Sequence, residues 1–131
     1  MSIRGNSTVT GTGVTFYITN GGDLTINGNT NVQLSAPTSG SYEGILFYQD
    51  SNDTSTATIN GTSSSFFQGA LYFPKASLDF GGTGTTFNSG AAYTLIVSGA
   101  LNVSGNATID INSDFSGLTD GSPIHSTVLV E

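Results

Sequence analysis

Hydrophobic residues in this chain fall in short alternating groups separated by polar, glycine-containing turns, the period-two pattern of β-strands that bury one face. One pattern recurs: apolar, any residue, apolar, then a small polar pair with glycine. It is carried by Met1-Ser2-Ile3-Arg4-Gly5, Leu24-Thr25-Ile26-Asn27-Gly28, Ala57-Thr58-Ile59-Asn60-Gly61, Leu78-Asp79-Phe80-Gly81-Gly82 and Leu101-Asn102-Val103-Ser104-Gly105. The anchors Ile3, Ile26, Ile59, Phe80 and Val103 are 23, 33, 21 and 23 residues apart, within the period range of solenoids. A second apolar position follows each anchor, at Val9, Val32, Phe66 or Phe67, Phe87 and Ile109. A third strand then follows in Val14–Ile18, Ile45–Tyr48, Ala70–Phe73 and Tyr93–Val97.

No single repeat of this kind can cover its own apolar face, whereas stacking repeats ~4.8 Å apart sets each anchor over the next and builds one continuous core. The pattern predicts an all-β fold: a small parallel β-helix of about five coils, three short strands per coil, right-handed by the general rule for parallel crossovers. The whole of 1–131 reads as a single domain, with repeat coils over 1–111. Asn-Gly at 27–28 and 60–61 and Gly-Gly at 21–22 and 81–82 supply the sharp bends between strands. The longest step contains two insertions, 36–44 and 50–55, predicted to leave the rod as loops. After Ile111 the repeat is lost: Phe115, Leu118, Pro123 and Ile124 interrupt it and Val128-Leu129-Val130 makes a last apolar strand, so 112–131 is predicted to cap the C-terminal end. A bare strand edge invites pairing with another chain, and the first coil, with nothing before Met1-Ser2-Ile3, is expected to be such an edge, as in a piece of a longer parent.

Composition narrows the function classes. Gly, Ser, Thr and Asn make up 66 of 131 residues and charged residues only 8%, which excludes a helical bundle. No apolar run approaches the ~18 residues of a membrane helix, so direct membrane insertion of this chain is not expected. The net charge of -7, with Arg4 and Lys75 as the only Lys or Arg, leaves nothing to neutralise phosphates, so no nucleic-acid partner is expected. Without cysteine there are no disulfides or thiolate sites. The N-terminus lacks the apolar core of a signal peptide, and the Thr/Asn/Ser/Gly-rich, mildly acidic composition favours a piece of a larger exported protein.

The runs Leu34-Ser35-Ala36-Pro37-Thr38-Ser39-Gly40, Gly44-Ile45-Leu46-Phe47-Tyr48-Gln49-Asp50 and Gly69-Ala70-Leu71-Tyr72-Phe73-Pro74-Lys75-Ala76 resemble the C-terminal region of bacterial TadG-like proteins, which belong to Flp/Tad-type pilus assembly. The resemblance spans residues 12 to 131. It implies an extracytoplasmic domain, at the cell surface or in the periplasm, of a larger membrane-anchored parent, with envelope or pilus proteins as partners. It carries no catalytic residues over to this chain.

Candidate chemistry is sparse. Polysaccharide-cleaving β-helices need clustered carboxylates. The nine acids here, Asp23, Glu43, Asp50, Asp53, Asp79, Asp110, Asp114, Asp120 and Glu131, fall mostly one per turn, and no enzyme is expected. His125, the only histidine, sits in the cap segment without a nucleophile-elbow pattern. Asp50-Ser51-Asn52-Asp53 and Asp110-Ile111-Asn112-Ser113-Asp114 offer oxygen ligands, yet calcium takes about six to eight and neither segment has EF-hand spacing. They read as turn-formers, with Ca2+ as the alternative and no other cofactor expected. Thr8/Thr10 and Thr56/Thr58 present paired hydroxyls of the kind an ice-binding surface uses, but the array is broken by Asp79 and Asn102. Tyr17, Tyr42, Tyr48 and Tyr72 cannot all lie inside so narrow a coil, since Phe16, Phe47 and Phe73 take the core side. Facing outward or covering a loop, these tyrosines, with Asp50 and Asp53 in the neighbouring insertion, form the candidate contact surface. The sequence thus points to a non-enzymatic structural or adhesive surface domain acting through protein–protein contact or self-association. A carbohydrate-binding module, with tyrosines stacking on sugar rings, is the alternative; ice binding and polysaccharide cleavage stand behind it.

Overall fold

The computed structural model describes residues 1–62, 64–82, 86–87 and 90–124, the pair 86–87 by backbone alone. His125, the 128–130 run, Glu131 and the Phe87 side chain lie outside the described residues. The described part is all sheet and turn. β1 (Ser2–Arg4), β2 (Thr8–Thr12) and β3 (Phe16–Ile18) make the three faces of a first coil; β4 (Leu24–Asn27), β5 (Asn31–Ser35) and β6 (Ile45–Gln49) repeat them. The third coil opens with β7 (Ala57–Ile59) and passes into β8 (Phe66–Gly82), which turns two corners and also supplies the opening face of the fourth. β9 (Thr86–Phe87) and the first half of β10 (Thr94–Gly105) complete that coil, and the second half of β10 with β11 (Thr108–Ile109) adds two faces of another.

Every strand pair is parallel. On the first face the register runs Ile3, Ile26, Ile59, Phe80, Val103, the five anchors of the sequence repeat. The solenoid has about four turns rather than five. Five anchor strands enclose only four turns, and after β11 the chain leaves the spiral before a third face is added.

The inward residues form one continuous core. Leu24, Ile26, Leu34, Leu46, Phe47, Ile59, Phe67, Leu71, Phe73, Leu78 and Phe80 are essentially inaccessible, and each contributes about 1.5–3 kcal/mol relative to an exposed side chain. Phe47 is central: it stacks on Phe16 at 5.2 Å and meets Phe67 and Phe73 at 6.3 Å each. β8 rounds its first corner at Gly69, whose φ of +141° favours glycine and where a Cβ would lie 2.8 Å from the Cβ atoms of both Ala36 and Leu46.

Within the first insertion Ala36 still belongs to the core, and 37–44 leave the coil as a loop whose neck is closed by Gly44 N–H donating to Pro37 O at 2.8 Å. Residues 50–55 turn sharply through Asp53 N–H to Asp50 O at 2.9 Å. Beyond β11, Ser113 bridges antiparallel to Tyr93, with Thr94 N–H donating to Asn112 O at 2.9 Å and Asp114 N–H to Ala92 O at 3.0 Å. Phe115 packs on Tyr93 at 5.3 Å. The chain then runs to the first loop, where Thr119 Oγ1 donates to Thr38 O at 3.1 Å and Asp120 N–H to Glu43 Oε1 at 3.1 Å. Of the segment expected as a cap, 112–114 pair along the open edge at the start of the third face, and 118–124 lie against its flank and the 37–44 loop.

Candidate functional site

Strand alternation places Phe16, Phe47 and Phe73 inward and Tyr17, Tyr48 and Tyr72 outward on the third face. In-register parallel pairing then stacks the tyrosines into a column. Tyr17 and Tyr48 have ring centroids 5.1 Å apart and planes within 8°; Tyr48 and Tyr72 are 5.0 Å apart and within 14°. Val97 holds the next register position above Tyr72. Both faces of the middle ring are covered, and the exposed member is Tyr17, at 55%. Partial burial first, then the phenols of Tyr72 and Tyr17, raise the Tyr48 phenol above its ordinary value; Asp50 and Tyr42 act in the same sense. Tyr42 lies outside the column, 51% exposed on the 37–44 loop.

Along the upper part of the column Pro123 and Ile124 come against the face, enclosing with Ile45, Tyr48, Tyr72 and Val97 an apolar cleft of about 140 Å³. At the other end of the same strands, Asn20, Gly21, Asp50, Asn52 and Asp53 line a polar dent of about 200 Å³. Its carboxylates are engaged in turns: Asp50 Oδ1 accepts from Asn52 N–H at 2.8 Å and Asp53 Oδ1 from Ser55 N–H at 2.9 Å. The amide and hydroxyl of Ser55, aided by the amides of Gly21 and Gly22, hold the Asp53 carboxyl below its ordinary value. The second oxygen-rich segment also makes a turn, with Ser116 N–H donating to Asp114 Oδ1 at 3.0 Å.

The outer column of the first face reads Ser2, Thr25, Thr58, Asp79, Asn102. Asp79 Oδ1 accepts from Ser77 Oγ at 2.5 Å and from Asn102 Nδ2 at 2.7 Å, so this acid is tied to neutral neighbours. Among the described residues no three His, Cys, Asp or Glu side chains gather in one place. The structure brings Tyr17, Tyr48 and Tyr72 together, sets Asp50 and Asp53 beside the ends of those strands, and leaves Tyr42 on its own loop.

Inspection of single strands misses the condition of the last coil. Leu101 and Val103 hold inward positions directly above Leu78 and Phe80, yet they are 45% and 49% exposed, and Ile111 is 61% exposed. Among the described residues no further anchor strand follows Val103 to cover it. Tested against protein-family models, curated proteins and solved structures, the chain matches none.

Proposed function

We propose that this protein is a non-enzymatic structural or adhesive β-solenoid that works through its surfaces, by contact with other proteins or with further copies of itself. One observation carries the reading: the inward side chains of the second half of β10 are left half open to solvent, beside a strand edge that has no backbone partner among the described residues. Exposed apolar groups on a bare parallel edge favour pairing with another β-surface. In this reading the domain sits outside the cytoplasm, presented by a membrane-anchored parent of the TadG-like kind, where such contacts hold envelope or pilus components together. Among the described residues no helix is long and apolar enough to cross a membrane.

A carbohydrate-binding module is the second reading, favoured by the outward rings of Tyr17 and Tyr42. Sugars stack on open aromatic faces, and in the column these faces are spent on neighbouring tyrosines, which leaves Tyr17 as the column's platform. Light scattering over a wide concentration range, with a glycan array on the same sample, tests the two together. Concentration-dependent association without a glycan signal is the expected result; a strict monomer that holds a defined glycan would replace the first reading by the second.

A further inference from the structure

We infer that Asn27 is a site of spontaneous covalent modification: the main-chain nitrogen of Gly28 attacks its side-chain amide and, through a cyclic imide, converts Asn27 to aspartate or isoaspartate. The reaction needs an uncrowded nitrogen on the following residue, and glycine alone puts no side chain beside it. The sequence holds three such pairs, Asn20-Gly21, Asn27-Gly28 and Asn60-Gly61. Local sequence makes them alike, and the fold makes them unequal.

At the end of β4 the chain bends at Gly28, with φ of +94°, and the Gly28 N–H donates to Oδ1 of Asn27 itself at 2.8 Å. That bond holds the nitrogen against the very carbonyl group it attacks, an arrangement that removes much of the entropic part of the barrier. Asn27, Gly28 and Asn29 are all exposed, so water and hydroxide reach the bend. Arg4 is the register partner of Asn27, and its positive charge favours both the oxyanion of the addition step and the carboxylate that follows. The other two pairs are engaged elsewhere. Asn60 is half-buried, with its Oδ1 packed over Gly81 of the next coil. Asn20 turns its Nδ2 back to Thr19 Oγ1 at 3.3 Å, and the Gly21 amide faces the Asp53 carboxylate, whose negative charge opposes loss of the amide proton.

In the first step Gly28 N gives its proton to hydroxide and bonds to Cγ of Asn27, and Nδ2 leaves as ammonia with a proton taken from water. Water then opens the imide at either carbonyl. Breaking the bond from Cγ to the nitrogen leaves aspartate; breaking the bond from the main-chain carbonyl carbon to the nitrogen leaves isoaspartate, with the chain rerouted through the side chain. The balance is one water consumed and one ammonia released. Either product adds a carboxylate to a chain of net charge -7, on the outer side of the first face beside Arg4. Isoaspartate also lengthens the main chain by a methylene at a tight corner, where a Cβ on Gly28 would already lie 3.0 Å from Gly5 O.

Incubating the full chain at neutral pH in water enriched in heavy oxygen, both folded and in urea, tests the assignment, because each event fixes heavy oxygen that peptide mass spectrometry locates. In urea the three pairs should react alike. In the folded chain Asn20 and Asn60 should slow by about tenfold or more while Asn27 keeps its pace, with aspartate and isoaspartate both formed there. Equal rates at the three pairs in the folded chain, or slowing of Asn27 together with the other two, overturns the proposal. Asn27→Gln lengthens the side chain by a methylene and disfavours the ring, at an exposed position where the native circular dichroism should be kept. This variant should lose the more acidic species that the parent slowly gains on ion exchange; gain of that species at the parent's rate would equally overturn the proposal.

Discussion

Ile59 and Val103 occupy equivalent places on the first face, two coils apart, and their surroundings differ almost completely. Ile59 lies between Ile26 and Phe80 and is inaccessible, while Val103 has Phe80 on one side, no strand on the other among the described residues, and is 49% exposed. The same local pattern therefore marks a core residue in one coil and a half-exposed residue in another, and what decides is whether a further strand covers it. Replacing each by aspartate should separate the two cases most sharply. Ile59→Asp leaves an unpaired charge in the middle of the stack and removes a buried side chain, a loss of more than about 4 kcal/mol that unfolds the domain. Val103→Asp should stay folded, within about 1 kcal/mol of the parent by urea denaturation. A soluble, folded Ile59→Asp protein would contradict the core assignment.

Glycines sharpen the same contrast between interior and rim. Gly69, at the corner inside the third coil, combines φ of +141° with a site where a Cβ would press on Ala36 and Leu46, while Gly13, with φ of +68°, has no other atom within 4 Å of that position. Gly69→Ala should destabilise by roughly 2–4 kcal/mol, strain and crowding together. Gly13→Ala carries only the left-handed backbone penalty of roughly 1–2 kcal/mol. Thermal unfolding of the two variants should rank them in that order; equal midpoints would mean that the corner relaxes.

The repeat was legible because it is written in a code of period two with a small polar turn, and that code states which residues face inward on each strand. Phe47, Phe73, Ile26 and Ile59 follow from alternation alone, as does the outward placing of Tyr17, Tyr48 and Tyr72. What alternation does not state is the register between coils, since the loops 37–44 and 50–55 change the spacing from one strand to the next. The offset from anchor to tyrosine is 14, 22 and 13 residues for Tyr17, Tyr48 and Tyr72, so only three-dimensional pairing reveals that the rings form one column. The path of 112–124 was hidden for a different reason. It is fixed by antiparallel pairing with 92–94 and by Pro123 lying against the Gly44 loop, contacts between segments that share no sequence pattern.

Within the column, Tyr48 is stacked on two neighbours and Tyr17 on one. Each offset or parallel aromatic contact is worth about 0.5–1.5 kcal/mol beyond the area it buries. Tyr48→Ala should therefore destabilise by about 2–3 kcal/mol and Tyr17→Ala by about 1 kcal/mol, read from urea midpoints. A larger effect at Tyr17 would show that the ring is engaged by something other than its stacking partner.

The smallest expected effect distinguishes the loop beside the column from the segment beyond the last coil. Asp53 and Asp114 both have carboxyls held below the ordinary value by hydrogen bonds from a serine two residues on, Ser55 and Ser116. A carboxyl whose folded pKa is depressed adds stability that is present above its unfolded pKa and is lost as pH falls through the folded one. The stability of the parent should accordingly decline below about pH 4. Asp53→Asn and Asp114→Asn should each flatten part of that decline, but by different routes. Asp53 is buried, and the turn it makes ties the 50–55 loop to the glycines at 21 and 22, so its replacement should also lower stability at neutral pH. Asp114 is exposed on the tail and its replacement should change the acid limb with little effect at neutral pH. Urea midpoints between about pH 3 and 7 separate the two variants, and identical profiles would mean that the loop beside the tyrosine column is held no more firmly than the tail.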